Sequence, residues 1–164
     1  RDPDIHGFLP LKGKVFNVSG ESLTDIASNK VIQDITNALG LVIGSKADRS
    51  KLRYGKVKIA TDMDHDGSAI CGLLINFFYN LWPELFQDKE DPFIEVFMTP
   101  FIIASKNKER KYWYGKNYHE FNPEDWKGWA ITRAKGLGTL TEQDWDYSLK
   151  SPEVQPIYDD GNLK

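Results

Sequence analysis

The sequence predicts an α/β fold with a ligand site beyond the end of a strand. Two strand–turn–helix patterns lead to this prediction. In the first, the apolar run 57–60 is followed by an acidic turn and then by apolar residues at helical spacing. In the second, the run 129–133 leads through a glycine-rich turn, 135–138, to a helix that should end near Lys150. In open α/β sheets, ligands bind in the crevice beyond the carboxyl ends of the strands.

The acidic turn is the strongest chemical signal. Asp62, Asp64 and Asp66 alternate over a short stretch, and Gly67 ends the run. Like charges on adjacent short side chains repel unless a cation or a basic partner lies between them. Mg²⁺ commonly takes one or two carboxylates together with water and phosphate oxygens. We therefore predict a metal site with these three aspartates as ligands. The alternative is a solvated turn, because Asp and Gly are ordinary turn residues.

Two other acidic loops share part of this pattern. A calcium loop of the EF-hand type needs a preceding helix and a glutamate at its twelfth position. Counted from Asp62, the twelfth residue is Leu73, and the preceding segment has the pattern of a strand. A phosphatase of the haloacid dehalogenase kind also places its acid after a strand, but its motif has Thr or Val where this chain has Asp66. Neither loop fits as well as a magnesium site.

Composition limits the classes of function. The 164 residues suggest one domain, and 40% hydrophobic residues are enough for a core. Lys and Arg total 21 against 24 Asp and Glu, so the net charge is −3. A stand-alone nucleic-acid binder is usually strongly basic. Contact with DNA would therefore need a local basic patch, a metal ion or a partner.

Three features of the sequence bear on disulfide bonding, on cellular location and on whether the chain is a fragment. Its single cysteine, Cys71, excludes an intramolecular disulfide and is interpreted as a buried structural thiol. No apolar run approaches the roughly 18 residues of a membrane helix, so we expect no membrane association. The expected location is cytoplasmic. The chain begins with Arg1 rather than Met, which indicates a fragment or a processed chain.

Local signals place the helices. The segment 22–39 has helical periodicity, with Asn29-Lys30 as a possible division between two helices and Gly40 as a C-cap. The helix after Gly67 should run to about Trp82, where a proline follows. Residues 141–144 have the pattern of a capping box at the start of the last helix.

Strands and irregular segments fill the rest of the chain. Strands are predicted at 93–96, 101–105 and 112–114, and the charged segment 106–111 is predicted to be a turn. Residues 151–164 show no clear period and are predicted to be a tail or linker.

A basic segment near the beginning predicts contact with an anion. Lys12 and Lys14 flank Gly13 just before an apolar run. A glycine lets backbone amides approach an anion closely, and the two lysines supply positive charge. The alternative is an ordinary basic turn before a strand.

Three motifs in this order resemble the TOPRIM region of type IIA DNA topoisomerases. They are Pro10-Leu-Lys-Gly-Lys14, then Leu52-Arg-Tyr-Gly leading to Thr61-Asp-Met-Asp-His-Asp-Gly-Ser68, and Lys135-Gly-Leu-Gly-Thr139. Thr99-Pro100 after a strand is also similar to that family. The resemblance covers residues 1 to about 150. The short spacing from Thr99 to Lys135 resembles the eukaryotic and T-even phage enzymes, and the first 14 residues resemble a phage large subunit.

The resemblance implies a Rossmann-like TOPRIM fold, a mostly parallel sheet with helices on both faces. Residues 1–150 would form this domain without the N-terminal strand that carries the family's E-G-D-S-A motif. It also implies Mg²⁺-dependent cleavage and rejoining of DNA during ATP-dependent strand passage. Asp62 and Asp64 would be catalytic ligands of two magnesium ions, with Asp66 adjoining. The implied contacts with the DNA backbone are Lys12, Gly13, Lys14, Arg133 and Lys135.

The chain also departs from the family. It has no E-G-D-S-A glutamate, and none of its seven tyrosines lies in the context of the family's nucleophile. Ala69 and Ala134 stand where the family often has a histidine and an aromatic residue. The turn 136–138 is not a Walker loop, so ATP would bind elsewhere.

The resemblance therefore implies several partners. They are double-stranded DNA, a breakage-reunion domain or subunit that carries the tyrosine, and an ATPase domain, in a symmetric assembly. The isolated chain should be inactive. The alternatives are another TOPRIM enzyme, such as a primase or nuclease, and a non-catalytic metal-binding assembly module.

Overall fold

The computed structural model describes residues 2–62 and 64–161 and confirms the α/β class. No helix in these two ranges is long and apolar enough to cross a membrane. The described helices and strands, apart from short 3₁₀ turns, are α1 (Leu23–Ser28), α2 (Lys30–Leu39), β1 (Val57–Ala60), α3 (His65–Leu81), β2 (Ile94–Phe97), β3 (Ile102–Lys106), β4 (Glu109–Trp113), β5 (Ala130–Arg133), α4 (Glu142–Lys150) and β6 (Val154–Ile157).

The strands form two small sheets rather than the expected mostly parallel one. In the first sheet, of order β1-β2-β6, β1 is parallel to β2 and β6 is antiparallel. The second sheet, of order β4-β3-β5, is antiparallel. Connection length accounts for two of these pairings, β1–β2 and β3–β4. The helix α3 provides the long crossover that a parallel pair needs, whereas Asn107, at a φ of 56°, makes a tight β3–β4 turn.

Two segments differ from the sequence-based expectations. β4 begins at Glu109, so the charged turn predicted at 106–111 is only two residues long. Pairing with β3 lets the exposed charged side chains of this strand face solvent. Residues 154–157 are also not a tail or linker, because they pair with β2 along its free edge. Residues 162–164 of the expected tail lie outside the described ranges.

The predicted pair of N-terminal helices is confirmed. Ser22 caps α1, and the side chain of Asn29 accepts hydrogen bonds from the first amides of α2. Gly40 ends α2 in the left-handed conformation, at a φ of 80°. Only glycine adopts this conformation routinely, so the glycine at position 40 correctly predicted the end of the helix.

The largest buried side chains anchor α3. Phe77, Phe78 and Trp82 are buried, and the rings of Phe77 and Trp82 meet edge to face. The indole N–H of Trp82 donates to the carbonyl oxygens of Val42 and Ser45, at 3.3 and 3.0 Å. The polar atom of the Trp82 side chain therefore has hydrogen-bond partners, as a buried polar group requires. This packing fixes the helix that follows the acidic turn.

Candidate functional site

The acidic turn connects β1 to α3. Asp64 is the N-cap of α3, and its Oδ1 accepts a hydrogen bond from the backbone N–H of Gly67, at 2.7 Å. Aspartate is a favoured N-cap because its carboxylate satisfies an amide that has no partner within the helix. Asp66 lies in the first turn, where the helix dipole favours negative charge. The helix thus begins at His65, slightly earlier than the sequence predicted.

Gly67 makes this tight arrangement possible. A Cβ at this position would overlap the backbone carbonyl group of Asp62. Any side chain would therefore push the strand end away from the start of α3. The glycine that ends the acidic run is a packing requirement of the turn.

The glycine-rich turn contacts the acidic turn. The backbone N–H of Leu137 donates to Oδ1 of Asp62, at 2.7 Å. The two strand–turn–helix patterns of the sequence therefore meet at one point, although these residues are 75 positions apart.

The basic N-terminal segment also reaches the acidic turn. Nζ of Lys14 lies 3.2 Å from Oδ1 of Asp66. The two side chains are 64% and 77% exposed, so the pair contributes little to stability. Its significance is positional, because it brings a residue predicted to bind DNA to a residue predicted to bind metal.

The remaining predicted DNA contacts are exposed. Gly13 has a φ of 78°, so a side chain there would strain the backbone. The side chains of Lys12, Arg133 and Lys135 form no ion pair within the described part of the chain. Arg133 ends β5 and Lys135 begins the turn that contacts Asp62, but the structure shows no direct contact of either side chain with the aspartates.

The three aspartates are not gathered into one ligand set. Within residues 2–62 and 64–161, no group of three or more His, Cys, Asp or Glu side chains could hold a metal ion. Each carboxylate has its own partner: Asp62 the amide of Leu137, Asp64 the amide of Gly67, and Asp66 the ammonium of Lys14. The role of Asp66 as a ligand stays a prediction.

A smaller ligand set fits magnesium. Asp62 and Asp64 each use Oδ1 for a backbone amide, and Oδ2 of neither has a hydrogen bond or ion pair among the described residues. Each Oδ2 can therefore accept a cation. Mg²⁺ needs only one or two protein carboxylates when water and phosphate oxygens complete its shell. The donor chemistry thus fits a cation shared with a nucleic-acid phosphate.

A second charged cluster was not predicted from the sequence. Glu95 on β2 is 7% exposed and pairs with Lys56 and Lys58, at 3.0 and 2.9 Å. Burial raises the pKa of Glu95, but hydrogen bonds from both lysines outweigh it and hold the pKa below its usual range. These two lysines are thereby occupied within the fold. The pairing of these lysines with Glu95 could not be predicted from the sequence, because it depends on how the strands align.

Comparison with known proteins identifies the family. The model of the Toprim domain matches residues 1–96. DNA topoisomerase 2 of Arabidopsis thaliana is 40% identical over 147 residues, which cover 84% of this chain and 10% of the relative. DNA topoisomerase 2-beta of Homo sapiens is 40% identical over 148 residues, which cover 86% of this chain and 9% of the relative.

A solved structure gives the same result. The DNA-binding, cleavage and re-ligation domain of Plasmodium falciparum topoisomerase II matches with a TM-score of 0.72 and 38% identity, over 86% of this chain and 20% of that one. The chain spans about a tenth of the length of the curated relatives it matches. The phage origin stays a prediction. From these matches and the meeting of its three motifs, the chain belongs to the Toprim domain family and is similar to eukaryotic type II DNA topoisomerases.

Proposed function

We propose that this chain supplies the magnesium-binding part of the DNA cleavage and religation site of a type IIA topoisomerase. One observation carries the proposal. The contacts Leu137–Asp62 and Lys14–Asp66 bring the glycine-rich turn, the acidic turn and the basic segment together. A site that cuts DNA needs carboxylates for metal and cations for the backbone at one place.

The residues of the chain have distinct roles in this proposal. Asp62 and Asp64 would hold up to two magnesium ions through Oδ2. When bound, Mg²⁺ would stabilise the negative charge that develops on the scissile phosphate and on the leaving 3′ oxygen. The DNA backbone would be held by contacts to its phosphates, which do not depend on the base sequence. The residues that would make these contacts are Lys12, Gly13, Lys14, Arg133 and Lys135. Because the Lys14–Asp66 pair is exposed and weak, Lys14 can exchange the Asp66 carboxylate for a DNA phosphate at little cost in free energy.

The missing catalytic groups would come from other parts of the assembly. β1 lies at the edge of its sheet, so its outer side can pair with another strand. A parallel strand there would end beside Asp62, where it could present the absent glutamate of the E-G-D-S-A motif. The nucleophilic tyrosine would come from a breakage-reunion domain or subunit, and ATP would act through an ATPase domain. We also propose double-stranded DNA as substrate, a symmetric assembly and a cytoplasmic location.

A non-catalytic assembly module is the second candidate. It is favoured by the fact that each of the three carboxylates already has a partner within the chain. In that case the acidic turn would only order the start of α3 and the glycine-rich turn. The other alternative, a Toprim primase or nuclease, has no observation in its favour.

The isolated chain should not cleave DNA. Its sequence contains neither the E-G-D-S-A glutamate nor a tyrosine in the context of the family's nucleophile. Supercoiled plasmid incubated with the 164-residue chain and Mg²⁺ should therefore stay intact. The parent protein should give magnesium-dependent cleavage in the same gel assay. Efficient nicking by the chain alone would contradict the composite site and favour a nuclease.

Lys12→Ala and Lys14→Ala should each weaken DNA binding by the parent protein and leave the fold unchanged. Each lost phosphate contact should lower the slope of log K against log salt by about one unit. The slope is measured by fluorescence anisotropy over a salt series. Lys30→Ala is the matched control, because it removes the same charge from a lysine that pairs with Asp34 on α2. A slope equal to that of the control would exclude the two lysines from the interface.

A further inference from the structure

We infer that the glycine-rich turn 135–138 is a positioning element for the metal ligand Asp62. The N–H of Leu137 holds Oδ1, and Gly136 provides the space that the carboxylate occupies. The inference rests on the proposed function, because the position of Asp62 matters to magnesium only if Asp62 binds it.

The donor to Asp62 is held firmly. Ala134 and Leu140, on either side of the turn, are buried against Ile103 in the second core cluster. The N–H of Ala134 donates to the carbonyl of Phe101 at 2.9 Å, which ties the beginning of the turn to the second sheet. A backbone amide fixed in this way can orient an exposed side chain that would otherwise sample several rotamers.

The turn is also closed by its own hydrogen bonds. The carbonyl of Gly136 accepts from the N–H and the hydroxyl of Thr139, at 3.1 and 2.6 Å. The amide of Leu137 is therefore presented by a short 3₁₀ turn rather than by a free loop. Its direction does not depend on the presence of a cation.

The contact explains why position 136 is glycine. A Cβ on residue 136 would lie 2.7 Å from Oδ1, 2.8 Å from Cγ and 3.1 Å from Oδ2 of Asp62. The φ of Gly136 is 170°, an extended value that any residue adopts. Glycine is thus needed for space and not for backbone conformation, and a methyl group would displace the Asp62 carboxylate without breaking the turn.

Gly138 offers a matched control in the same turn. A Cβ there would meet no heavy atom within 4 Å, and the backbone does not have a positive φ. Gly138→Ala therefore makes the same chemical change two residues away without touching Asp62.

The test is metal affinity of the full chain, measured by NMR. Mg²⁺ is titrated into the ¹⁵N-labelled chain, and Mn²⁺ is then added to detect paramagnetic broadening of the Leu137 and Gly67 amides. Gly136→Ala should lower Mg²⁺ affinity about 10-fold, as is typical when an outer-shell partner of a ligand is disturbed. The rest of its spectrum and its Tm should match those of Gly138→Ala, which should bind Mg²⁺ like the wild type.

A double mutant separates positioning from a general structural effect. If Gly136 acts through Asp62, adding Gly136→Ala to Asp62→Asn should cause no further loss of affinity. Independent, additive losses would overturn the inference. Leu137→Pro provides a second variant if Gly136→Ala does not fold. It removes the N–H at the first position of a helical turn, where proline fits, and should give a similar loss.

The outcomes distinguish the inference from the proposed function. If Asp62→Asn lowers Mg²⁺ affinity but Gly136→Ala and Leu137→Pro do not, the positioning role alone is overturned. If Asp62→Asn leaves Mg²⁺ affinity unchanged, the proposed metal site is overturned and the inference falls with it.

Discussion

Asp62→Asn should lower Mg²⁺-dependent DNA cleavage by the parent protein by at least about 100-fold, because loss of a ligand should exceed the roughly 10- to 100-fold loss that is typical of disturbing an outer-shell partner. The amide keeps the size of the side chain and can still accept the hydrogen bond from Leu137. The change therefore removes the negative charge and leaves the turn in place. The measurement is cleavage of a labelled duplex over a Mg²⁺ series, with circular dichroism as the test of folding.

Asp66→Asn is the comparison for this experiment. It also removes one charge from the acidic turn, but its carboxylate pairs with Lys14 on the surface. We expect a loss of less than about 10-fold, because Asp66 is not one of the two ligands proposed above and its exposed ion pair is weak. Equal losses for both variants would show that the total charge of the turn, and not a ligand at Asp62, determines cleavage. An unchanged Mg²⁺ requirement in Asp62→Asn would support the assembly module.

Asp144→Ala should lower the free energy of unfolding by about 3 kcal/mol, because it removes a buried carboxylate that several donors share. Asp144 is 1% exposed and forms the capping box of α4 with Thr141. Its Oδ1 also accepts hydrogen bonds from Arg110, at 2.8 Å, and from the hydroxyl of Tyr112, at 3.0 Å. The substitution would leave a half-buried guanidinium and a phenol without their acceptor. Chemical denaturation at pH 7 measures the loss.

The same loss should depend on pH. Burial raises the pKa of Asp144, but the hydrogen bonds from Thr141 and Tyr112 and the charge of Arg110 outweigh it and hold the pKa below its usual range. A lowered pKa in the folded state stabilises the protein above about pH 3.8, and this contribution is lost as the pH falls through the folded-state pKa. The difference in stability between wild type and Asp144→Ala should therefore shrink as the pH falls below 3.8.

Asp146→Ala is the matched control on the same helix. Among residues 2–62 and 64–161, the ion-pair partner of Asp146 is Lys150, one turn away, and both side chains are largely exposed. Such a pair contributes at most about 0.5 kcal/mol. A loss equal to that of Asp144→Ala, or a difference that does not change with pH, would show that the buried network adds nothing beyond an ordinary surface charge.

Position 144 shows what could be predicted locally. The sequence Thr141-Glu-Gln-Asp144 predicted a capping box, and the structure confirms it, because both partners lie within one helical turn. The convergence of Arg110 and Tyr112 on the same carboxylate could not be predicted. Those residues belong to β4, more than 30 positions earlier in the chain, and the sequence placed part of that strand in a turn.

The helices and the α/β class followed from local signals, whereas the pairing of strands did not. Caps and apolar periodicity act over a few residues, so Asn29 and Gly40 marked the ends of helices correctly. A strand's partner depends on chain that is distant in sequence. The pairing of β6 with β2 and the antiparallel second sheet are such long-range choices.

The sequence by itself determined which chemical groups this protein carries: three aspartates between a strand and a helix, lysines around a glycine, and the later glycine-rich turn 135–138. The first two of these lie within the residues that match the Toprim model. Tertiary structure alone decided which groups meet. It joined Asp62 to Leu137 and Asp66 to Lys14, and it turned Asp64 toward its own helix. The reason is that carboxylates repel one another and bond to whichever donors the fold presents, and only the folded chain fixes those donors in space.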